Sequence, residues 1–192
     1  LEGFYQPMEM VAFFVRLRKH VPSARFIILS NDPADRLEPL LRSGLWEHCE
    51  IRRAAAVEVP RYLQAAHAGI SFRQAGLSQL SASPTKIAEY LACGLPVVVS
   101  AGIGDVDTML SSRAGGGVGV IVSRHEPGTY DEAIDALLAL CSKADIAERC
   151  RRLARERFSL EDGVSRYLAL YRRLQGGSPF ETTSPRTSVT AR

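Results

Sequence analysis

The sequence has few of the residues from which metal sites and disulfide frameworks are built. Four cysteines occur in 192 residues, and no two of them stand at CxxC spacing. The histidines are scattered without an HExxH pair, so we expect them at ordinary surface or core positions. We predict no metal site, and we expect cytosolic free thiols, most of them buried. The cysteines are Cys49, Cys93, Cys141 and Cys150, and the histidines are His20, His48, His67 and His125.

The chain also lacks long apolar runs and a strong charge of either sign. No run approaches the roughly 20 residues that span a bilayer. The first residues, Leu1-Glu2-Gly3, show no signal-peptide pattern, and we expect that they continue a longer chain. A formal net charge of +3 is too small to predict a nucleic-acid partner. With 46% hydrophobic and 23% charged residues, the composition predicts one globular domain in the cytoplasm.

Short apolar segments alternate along the chain with segments of helical periodicity. Strands without polar alternation are typical of a parallel sheet covered by helices on both faces. The sequence therefore predicts the α/β class, with a Rossmann-like parallel sheet flanked by helices, over residues 1–175. The end, residues 176–192, is rich in Ser, Thr, Pro and Gly and is predicted to be a disordered tail. Predicted strands cover residues 25–30, 50–51, 68–72, 96–100 and 118–122; predicted helices start at residue 7, cover 33–41, 60–66, 84–93 and 106–112, and fill most of the remainder to about 175.

The segment from Ser83 to Asp105 begins with a helix start that suits an anion. Ser83 is predicted as the N-cap and Pro84 as the first helical residue. Thr85 and Lys86 then fall in the first turn, where backbone N–H groups lack partners and bind phosphate readily. Lys86 opposes the helix dipole there, at a cost of about 0.3–1 kcal/mol that a bound anion would offset. The alternative is an ordinary helix start, with Lys86 extending into water.

Glu89 lies one turn after Lys86 on the same flank of this helix. Its carboxylate can accept hydrogen bonds from two neighbouring hydroxyls of a ribose, as acids do in dinucleotide folds. The alternative is an ion pair between Glu89 and Lys86 on a solvated face, which contributes little. Ile87 and Leu91 are predicted to face the core, while Ala88 and Ala92 would let the helix approach the sheet closely.

A buried strand and a glycine loop complete the segment. Gly94 and Pro96 end the helix, and the β-branched residues 97–99 are typical of a central strand. The strand runs into a loop containing Gly102, Gly104 and Asp105, and ligands of open α/β sheets bind beyond such strand ends. The two glycines would let the backbone approach a ligand. Asp105 is expected to cap the next helix, while the neighbouring amides face the ligand.

These residues, SPTKIAEYLACGLPVVVSAGIGD, resemble the donor-binding half of a GT-B glycosyltransferase of the retaining family-four type, glycosyl transferases group 1. The resemblance extends over residues 1–174 and implies a domain for a UDP-, GDP- or ADP-sugar, without metal or other cofactor. It places Glu89 at the donor ribose and Gly104 and Asp105 in the wall of the donor cleft. It also implies an N-terminal acceptor domain in the full-length chain, without which the fragment is inactive. The donor phosphates are assigned by the resemblance to Ser83, Thr85 and Lys86.

Two positions depart from the commonest family pattern. Ser81 stands where many members have a second Glu near the donor sugar. The loop at Tyr5-Gln6 carries no basic pair for the diphosphate, so Lys86 or Arg73 is predicted to supply that charge. Arg73 has the alternative of an ordinary solvent-facing loop residue. No catalytic residue is assigned.

The C-terminal helical part is rich in arginine. A solvated face with ion pairs is the favoured interpretation, and contact with the inner face of an anionic membrane is the alternative. Synthesis of cell-surface polysaccharide or glycolipid is the expected process. Two other functions stay open, a non-catalytic Rossmann-like binding or interaction module and a GT-B-type sugar-nucleotide epimerase. The arginines are Arg149, Arg151, Arg152, Arg155, Arg157, Arg166, Arg172 and Arg173.

Overall fold

The computed structural model describes residues 4–31, 46–111 and 117–175. The predicted helix over 33–41 and the predicted tail over 176–192 lie outside these residues. The helices are α1 (Pro7–His20), α2 (Val59–Gln64), α3 (Thr85–Ala92), α4 (Val106–Ser111), α5 (Pro127–Cys141), α6 (Ile146–Phe158) and α7 (Leu160–Gln175). The strands are β1 (Phe26–Leu29), β2 (Cys49–Arg52), β3 (Gly69–Ser71), β4 (Val97–Ser100) and β5 (Gly119–Val122), and 3-10 turns cover Trp46–His48 and Leu77–Ser81.

All strand pairs in the described residues are parallel. One sheet pairs β1 with β2, and Phe26 lies opposite Cys49. The other sheet has the order β3-β4-β5, in which Val97 lies opposite both Gly69 and Gly119. The central strand β4 is buried along its whole length, as its run of valines predicts. The α/β class with parallel strands and flanking helices is therefore confirmed.

Helices cover both faces of the β3–β4–β5 sheet. On one face, Val98 joins a cluster with residues of α1 and α5, including Phe13 and Ile134. On the opposite face, α3 approaches so closely that a Cβ at Gly69 would lie 2.3 Å from the ring of Tyr90. The predicted close approach of α3 therefore comes from Gly69 rather than from Ala92, which is exposed.

Helix α1 packs on both sheets, because neighbouring residues of the helix point in different directions. Phe13 joins the cluster on β3–β4–β5, whereas Val11 and Phe14 pack with Phe26 and Ile51 of the smaller sheet. The smaller sheet is less covered than predicted, since no residue of β1 or β2 is fully buried.

The prediction that most cysteines are buried is wrong. Cys150 is buried, whereas Cys49, Cys93 and Cys141 are half-buried, and all four are free. Burial raises the pKa of the Cys150 thiol to about 11, so this thiol stays protonated at neutral pH.

The described residues divide into two compact units, with the boundary between Arg157 and Phe158. Helix α7 belongs to the second unit and has no buried residue. Its apolar side chains are exposed. These side chains are Leu160, Val164, Tyr167, Leu168, Leu170, Tyr171 and Leu174. No helix in the described ranges is long and apolar enough to cross a membrane.

Candidate functional site

The carboxyl ends of β3, β4 and β5 meet at one edge of their sheet, because the three strands are parallel. We call this edge the carboxyl edge. It includes the segments 72–84, 101–105 and 123–126 that follow the strands, and the first turns of α3. Ligands of open parallel sheets bind at such an edge. The sequence places its glycine loop and the start of α3 here, and the structure adds residues from α1 and α5.

Arg73 is held at the carboxyl edge by three different contacts. Its backbone N–H donates to Ser100 Oγ at 2.9 Å, and its Nε–H donates to Gln79 Oε1 at 3.0 Å. Its guanidinium lies 4.8 Å from the centre of the Tyr5 ring. Arg73 is half-buried and forms no ion pair with any described residue. The alternative of an ordinary solvent-facing loop residue does not fit this arrangement.

The N-terminal segment reaches the carboxyl edge by pairing with the chain after β3. Tyr5 and Arg73 form an antiparallel bridge. On its two sides, Gln6 N–H donates to the Phe72 carbonyl at 3.0 Å and Gln74 N–H donates to the Phe4 carbonyl at 2.7 Å. The loop at Tyr5-Gln6, which has no basic pair of its own, therefore supplies the aromatic ring beneath the Arg73 guanidinium.

The glycine loop after β4 packs on the 3-10 turn that precedes α3. Gly104 has a φ of 53°, and its N–H donates to the Gln79 carbonyl at 2.8 Å. A Cβ at Gly104 would lie 2.0 Å from the carbonyl oxygen of Ala82, so another residue cannot fit without moving the backbone. A contact between two loops thus requires this glycine, and its part in a ligand cleft stays a prediction.

The aspartate that orders this loop is Asp107 rather than Asp105. Asp107 Oδ2 accepts a hydrogen bond from Gly102 N–H at 2.9 Å. The side chain of Asp105 is exposed and has no hydrogen-bond partner among the described residues, while its carbonyl accepts the Met109 N–H at 2.9 Å. The predicted side-chain cap by Asp105 is therefore absent, and its carboxylate is open to solvent. An acid in the first turn of α4, directly after a glycine loop, was the signal for Asp107.

The start of α3 lies one residue later than predicted. Pro84 is the N-cap, with extended backbone angles (φ −68°, ψ 110°), and the helix begins at Thr85. The prediction of Ser83 as N-cap is wrong because Pro84 keeps an extended backbone, which leaves Ser83 one residue before the N-cap. Ser83, Thr85 and Lys86 are all exposed.

Glu89 is exposed on the next turn of α3. It forms no ion pair with Lys86, nor does either side chain pair with another described residue. The alternative of a surface ion pair is therefore not present. Ser81, the last residue of the 3-10 turn before α3, is also exposed.

A chain of side-chain hydrogen bonds runs behind Arg73 and was missed by the sequence analysis. Ser100 Oγ lies 3.2 Å from His125 Nε2, and His125 Nδ1 lies 3.1 Å from the Tyr130 hydroxyl. That hydroxyl donates to Glu9 Oε2 at 2.7 Å. Burial lowers the pKa of His125 and raises the pKa of Tyr130, so both side chains are neutral at pH 7. We call Ser100, His125, Tyr130 and Glu9 the relay.

The Ser100–His125 distance is also that of a nucleophile and its general base. However, Ser100 is only 3% exposed, and its oxygen already accepts the Arg73 N–H. A substrate cannot reach this hydroxyl, so the pair is part of the scaffold.

The groups at the carboxyl edge have the chemistry to hold a phosphorylated nucleotide. The guanidinium of half-buried Arg73 has N–H donors that no described residue occupies, and Thr85 and Lys86 present the N–H groups of a helix start. Glu89 offers an acceptor one turn further along. In the described ranges, no group of three or more His, Cys, Asp or Glu side chains could hold a metal ion.

Known proteins share this fold. Sucrose-phosphate synthase from Thermosynechococcus elongatus is 20% identical, with a TM-score of 0.65, over 92% of this chain and 45% of its own. HepE from Anabaena, solved in complex with UDP, is 17% identical, with a TM-score of 0.59, over 91% of this chain and 47% of its own. The fold is that of GT-B glycosyltransferases, as the motif predicts.

Sequence comparison gives the family directly. The D-inositol 3-phosphate glycosyltransferase of Mycobacterium bovis (strain BCG / Pasteur 1173P2) is 37% identical over 90 residues, which are 46% of this chain and 18% of that protein. The chain thus spans less than half the length of each of these three proteins. The model of glycosyl transferases group 1 matches residues 8–140, more than half of the 192 residues. The chain therefore belongs to the glycosyl transferases group 1 family.

Proposed function

We propose that the carboxyl edge binds the nucleoside diphosphate of a nucleotide-sugar donor. The observation that carries this proposal is Arg73, a half-buried cation with fixed geometry and no acid partner among the described residues. An arginine held in this way is paired by an anionic ligand at little entropic cost, because its side chain is already ordered. HepE, a structure with the same fold, was solved with UDP.

The exposed start of α3 supplies the second half of the proposed donor site. Ser83, Thr85 and Lys86 contact the diphosphate, through hydroxyl groups, backbone N–H groups and one ammonium. Glu89 accepts hydrogen bonds from the two ribose hydroxyls. This division of roles leaves the base unread, so UDP, GDP and ADP are all candidate nucleotides.

The sugar lies beyond the diphosphate, next to Gly104 and Asp105. Ser81 offers a hydroxyl at the position of the second family Glu, and the exposed Asp105 carboxylate lies on the neighbouring loop. The proposed reaction transfers a hexose with retention at the anomeric carbon. Arg73 and Lys86 assist it by stabilising the negative charge on the departing nucleoside diphosphate.

The acceptor is proposed to bind outside the described residues. The chain spans 45% of sucrose-phosphate synthase and 18% of the mycobacterial relative. We propose that an N-terminal domain of the full-length protein binds the acceptor, that the reaction occurs between the two domains, and that this fragment alone turns over little or nothing. Cell-surface polysaccharide or glycolipid is the proposed product, made on the cytoplasmic side of the membrane.

The arginines of α6 have both proposed environments. Arg155 pairs with Glu148 at 2.6 Å, and both side chains are exposed, which supports a solvated face with ion pairs. Arg149 lies 3.8 Å from Asp145, but its own side chain is only 17% exposed. Arg151 and Arg152 are exposed and outside these pairs, and they would be available to anionic lipid headgroups.

The test of the proposed donor site is calorimetric titration of this chain with UDP, GDP, ADP and pyrophosphate. We expect millimolar or tighter binding of at least one nucleoside diphosphate. Glu89→Ala should lower the affinity for that nucleotide about tenfold or more, as loss of a charged hydrogen-bond partner does. It should leave the affinity for pyrophosphate nearly unchanged.

The matched control is Glu156→Gln, which removes an exposed acid on α6. It should leave both affinities unchanged. If Glu89→Ala lowered the affinities for nucleotide and pyrophosphate equally, the assignment of Glu89 to the ribose would be wrong. Failure of all three nucleotides to bind would reject the donor site and favour a non-catalytic module.

A further inference from the structure

The relay has a single consistent direction of hydrogen-bond donation. Glu9 is an acceptor, so the Tyr130 hydroxyl must donate to it, and the Tyr130 oxygen is left to accept the Nδ1–H of His125. Neutral His125 then has a bare Nε2, which accepts the Ser100 hydroxyl proton. The Ser100 oxygen keeps its lone pairs for the Arg73 N–H.

The surroundings of the relay keep this pattern in place. Ser100 is 3% exposed and Tyr130 4%, so water does not compete for their hydroxyl groups. The imidazole of His125 lies 4.7 Å from the ring of Phe72, which is fully buried. Because unpaired polar groups are costly when buried, the Ser100 and Tyr130 hydroxyls keep their partners and hold the half-buried His125 imidazole between them.

We propose that His125 is a positioning residue for Arg73, acting through Ser100, in the donor site proposed above. Ser100 is the last residue of β4, and its hydroxyl is the acceptor for the backbone of Arg73. His125 fixes the rotation of that hydroxyl and thereby directs its lone pairs to the Arg73 N–H. Through Tyr130 and Glu9 the same relay ties this position to the first turns of α5 and α1.

This inference rests on the proposed function, because positioning Arg73 matters only if its guanidinium binds the diphosphate of the donor. Arg73 has other supports, namely Gln79 and the Tyr5 ring. Loss of His125 is therefore expected to loosen Arg73 rather than to remove it from the site. The effect should be visible in ligand affinity and in the protection of the Arg73 N–H groups.

The first experiment is a double-mutant cycle on UDP affinity, or on the affinity of whichever nucleoside diphosphate this chain binds best. His125→Leu should weaken binding about fivefold in the native background, within the range for coupled residues of one hydrogen-bond network. In an Arg73→Gln background, His125→Leu should have no further effect. His125→Gln should restore most of the affinity, because its amide oxygen can accept the Ser100 hydroxyl.

The matched control is Tyr90→Phe. It removes the hydroxyl of an α3 residue that contacts the carbonyl of Ile70 in β3 at 3.4 Å. This hydroxyl has no hydrogen bond to the relay. This variant should keep the native affinity for the nucleotide. If His125→Leu weakens binding equally in both backgrounds, His125 acts on overall stability and the inference is overturned.

The second experiment needs no nucleotide and so separates this inference from the proposed function. Solvent exchange of the Arg73 backbone N–H and Nε–H is measured by NMR in the native chain, His125→Leu and Tyr90→Phe. We expect both protons to exchange about tenfold faster in His125→Leu alone, with the amides of β4 unchanged, as for a local opening. Unchanged Arg73 exchange in His125→Leu would overturn the positioning role even if UDP binds, and absence of UDP binding would reject the proposed function alone.

Discussion

The two halves of the candidate site differ in how the protein holds them. The first, which we call the loop half, consists of Arg73, Gln79, Ser100, Gly102 and Gly104, and every member hydrogen-bonds to another part of the chain. The second, the helix half, consists of Ser83, Thr85, Lys86 and Glu89, all exposed. Their side chains make no hydrogen bond or ion pair with a described residue.

This difference teaches that stability and ligand contact are separated in the site. Groups that satisfy one another in the folded chain contribute to its stability and have fewer donors or acceptors left for a ligand. Groups that face water without partners contribute little to the stability of the fold, and their donors and acceptors are available to a ligand. Substitutions in the loop half other than Arg73, whose guanidinium is proposed to bind the ligand, should therefore act first on stability. Substitutions in the helix half should act first on affinity.

The largest expected effect is the loss of stability in Gly104→Ala. The added Cβ meets the Ala82 carbonyl oxygen at 2.0 Å, and the φ of 53° is unfavourable for any residue with a side chain. We expect the free energy of unfolding to fall by about 2–4 kcal/mol, from strain and overpacking together. Chemical denaturation followed by circular dichroism measures it.

Gly76→Ala is the control for this variant, because Gly76 lies in the connection between β3 and α3, on which the Gly104 loop packs. A Cβ at Gly76 meets nothing within 4 Å, and the φ of 170° is extended backbone that any residue adopts. It should leave stability within about 0.5 kcal/mol of native. Similar stability of the two variants would mean that the loop half is not held as tightly as its contacts indicate.

Much of the loop half lay beyond what the sequence alone could predict. The strand β4 was predictable, since an unbroken run of valines between Pro96 and a glycine loop is typical of a central strand. The partners of its last residue were not. Ser100 meets Arg73 and His125, which lie 27 and 25 residues away, and Tyr130 meets Glu9 across 121 residues. Local periodicity carries no information on such pairs.

The position of the helix half was predicted more closely, because three of its four residues, Thr85, Lys86 and Glu89, lie on the first turns of one helix. Spacing alone places Lys86 and Glu89 on one exposed flank. The error concerned the first residue, where Ser83 and Pro84 both suit a helix start. In the structure Pro84 has extended backbone angles, so it is the N-cap, and the residue types alone did not distinguish the two positions.

Lys86→Gln should have a smaller effect, with opposite signs for binding and stability. Removing the ammonium should lower the affinity for nucleoside diphosphate about tenfold, which is the typical loss for a charged hydrogen bond to an anion. It should also raise the free energy of unfolding by about 0.3–1 kcal/mol, because a cation in the first turn opposes the helix dipole. Calorimetry with UDP, GDP and ADP and thermal denaturation measure the two quantities.

The control for Lys86 is the same substitution at Lys19, in the last turn of α1. A cation there favours the dipole, so Lys19→Gln should lower stability slightly and leave nucleotide affinity unchanged. A fall in stability in Lys86→Gln would show that this side chain has a structural partner, and the comparison between the two halves would fail at that residue.

The smallest expected effect concerns the support behind the loop half, where Arg16 of α1 pairs with Asp131 of α5 through both carboxylate oxygens. The hydrogen bonds from Arg16 lower the pKa of Asp131 from 3.8 to about 2, and His20 also approaches its carboxylate. A carboxyl group with a lowered pKa stabilises the fold above its unfolded pKa and loses this contribution as the pH falls through the folded value. Thermal denaturation of the native chain and Asp131→Asn should therefore differ at neutral pH and converge as the pH falls from about 4 towards 2. Asp135→Asn, which removes a more exposed acid near His20, should change the melting temperature less.

Glu9 and Tyr130 of the relay lie on the same two helices as Arg16 and Asp131. The UDP affinity of Asp131→Asn therefore tests whether Arg73 is supported by the relay alone or by the whole contact between these helices. Unchanged affinity in Asp131→Asn would confine that support to the relay, whereas weaker binding would extend it to the whole contact between α1 and α5.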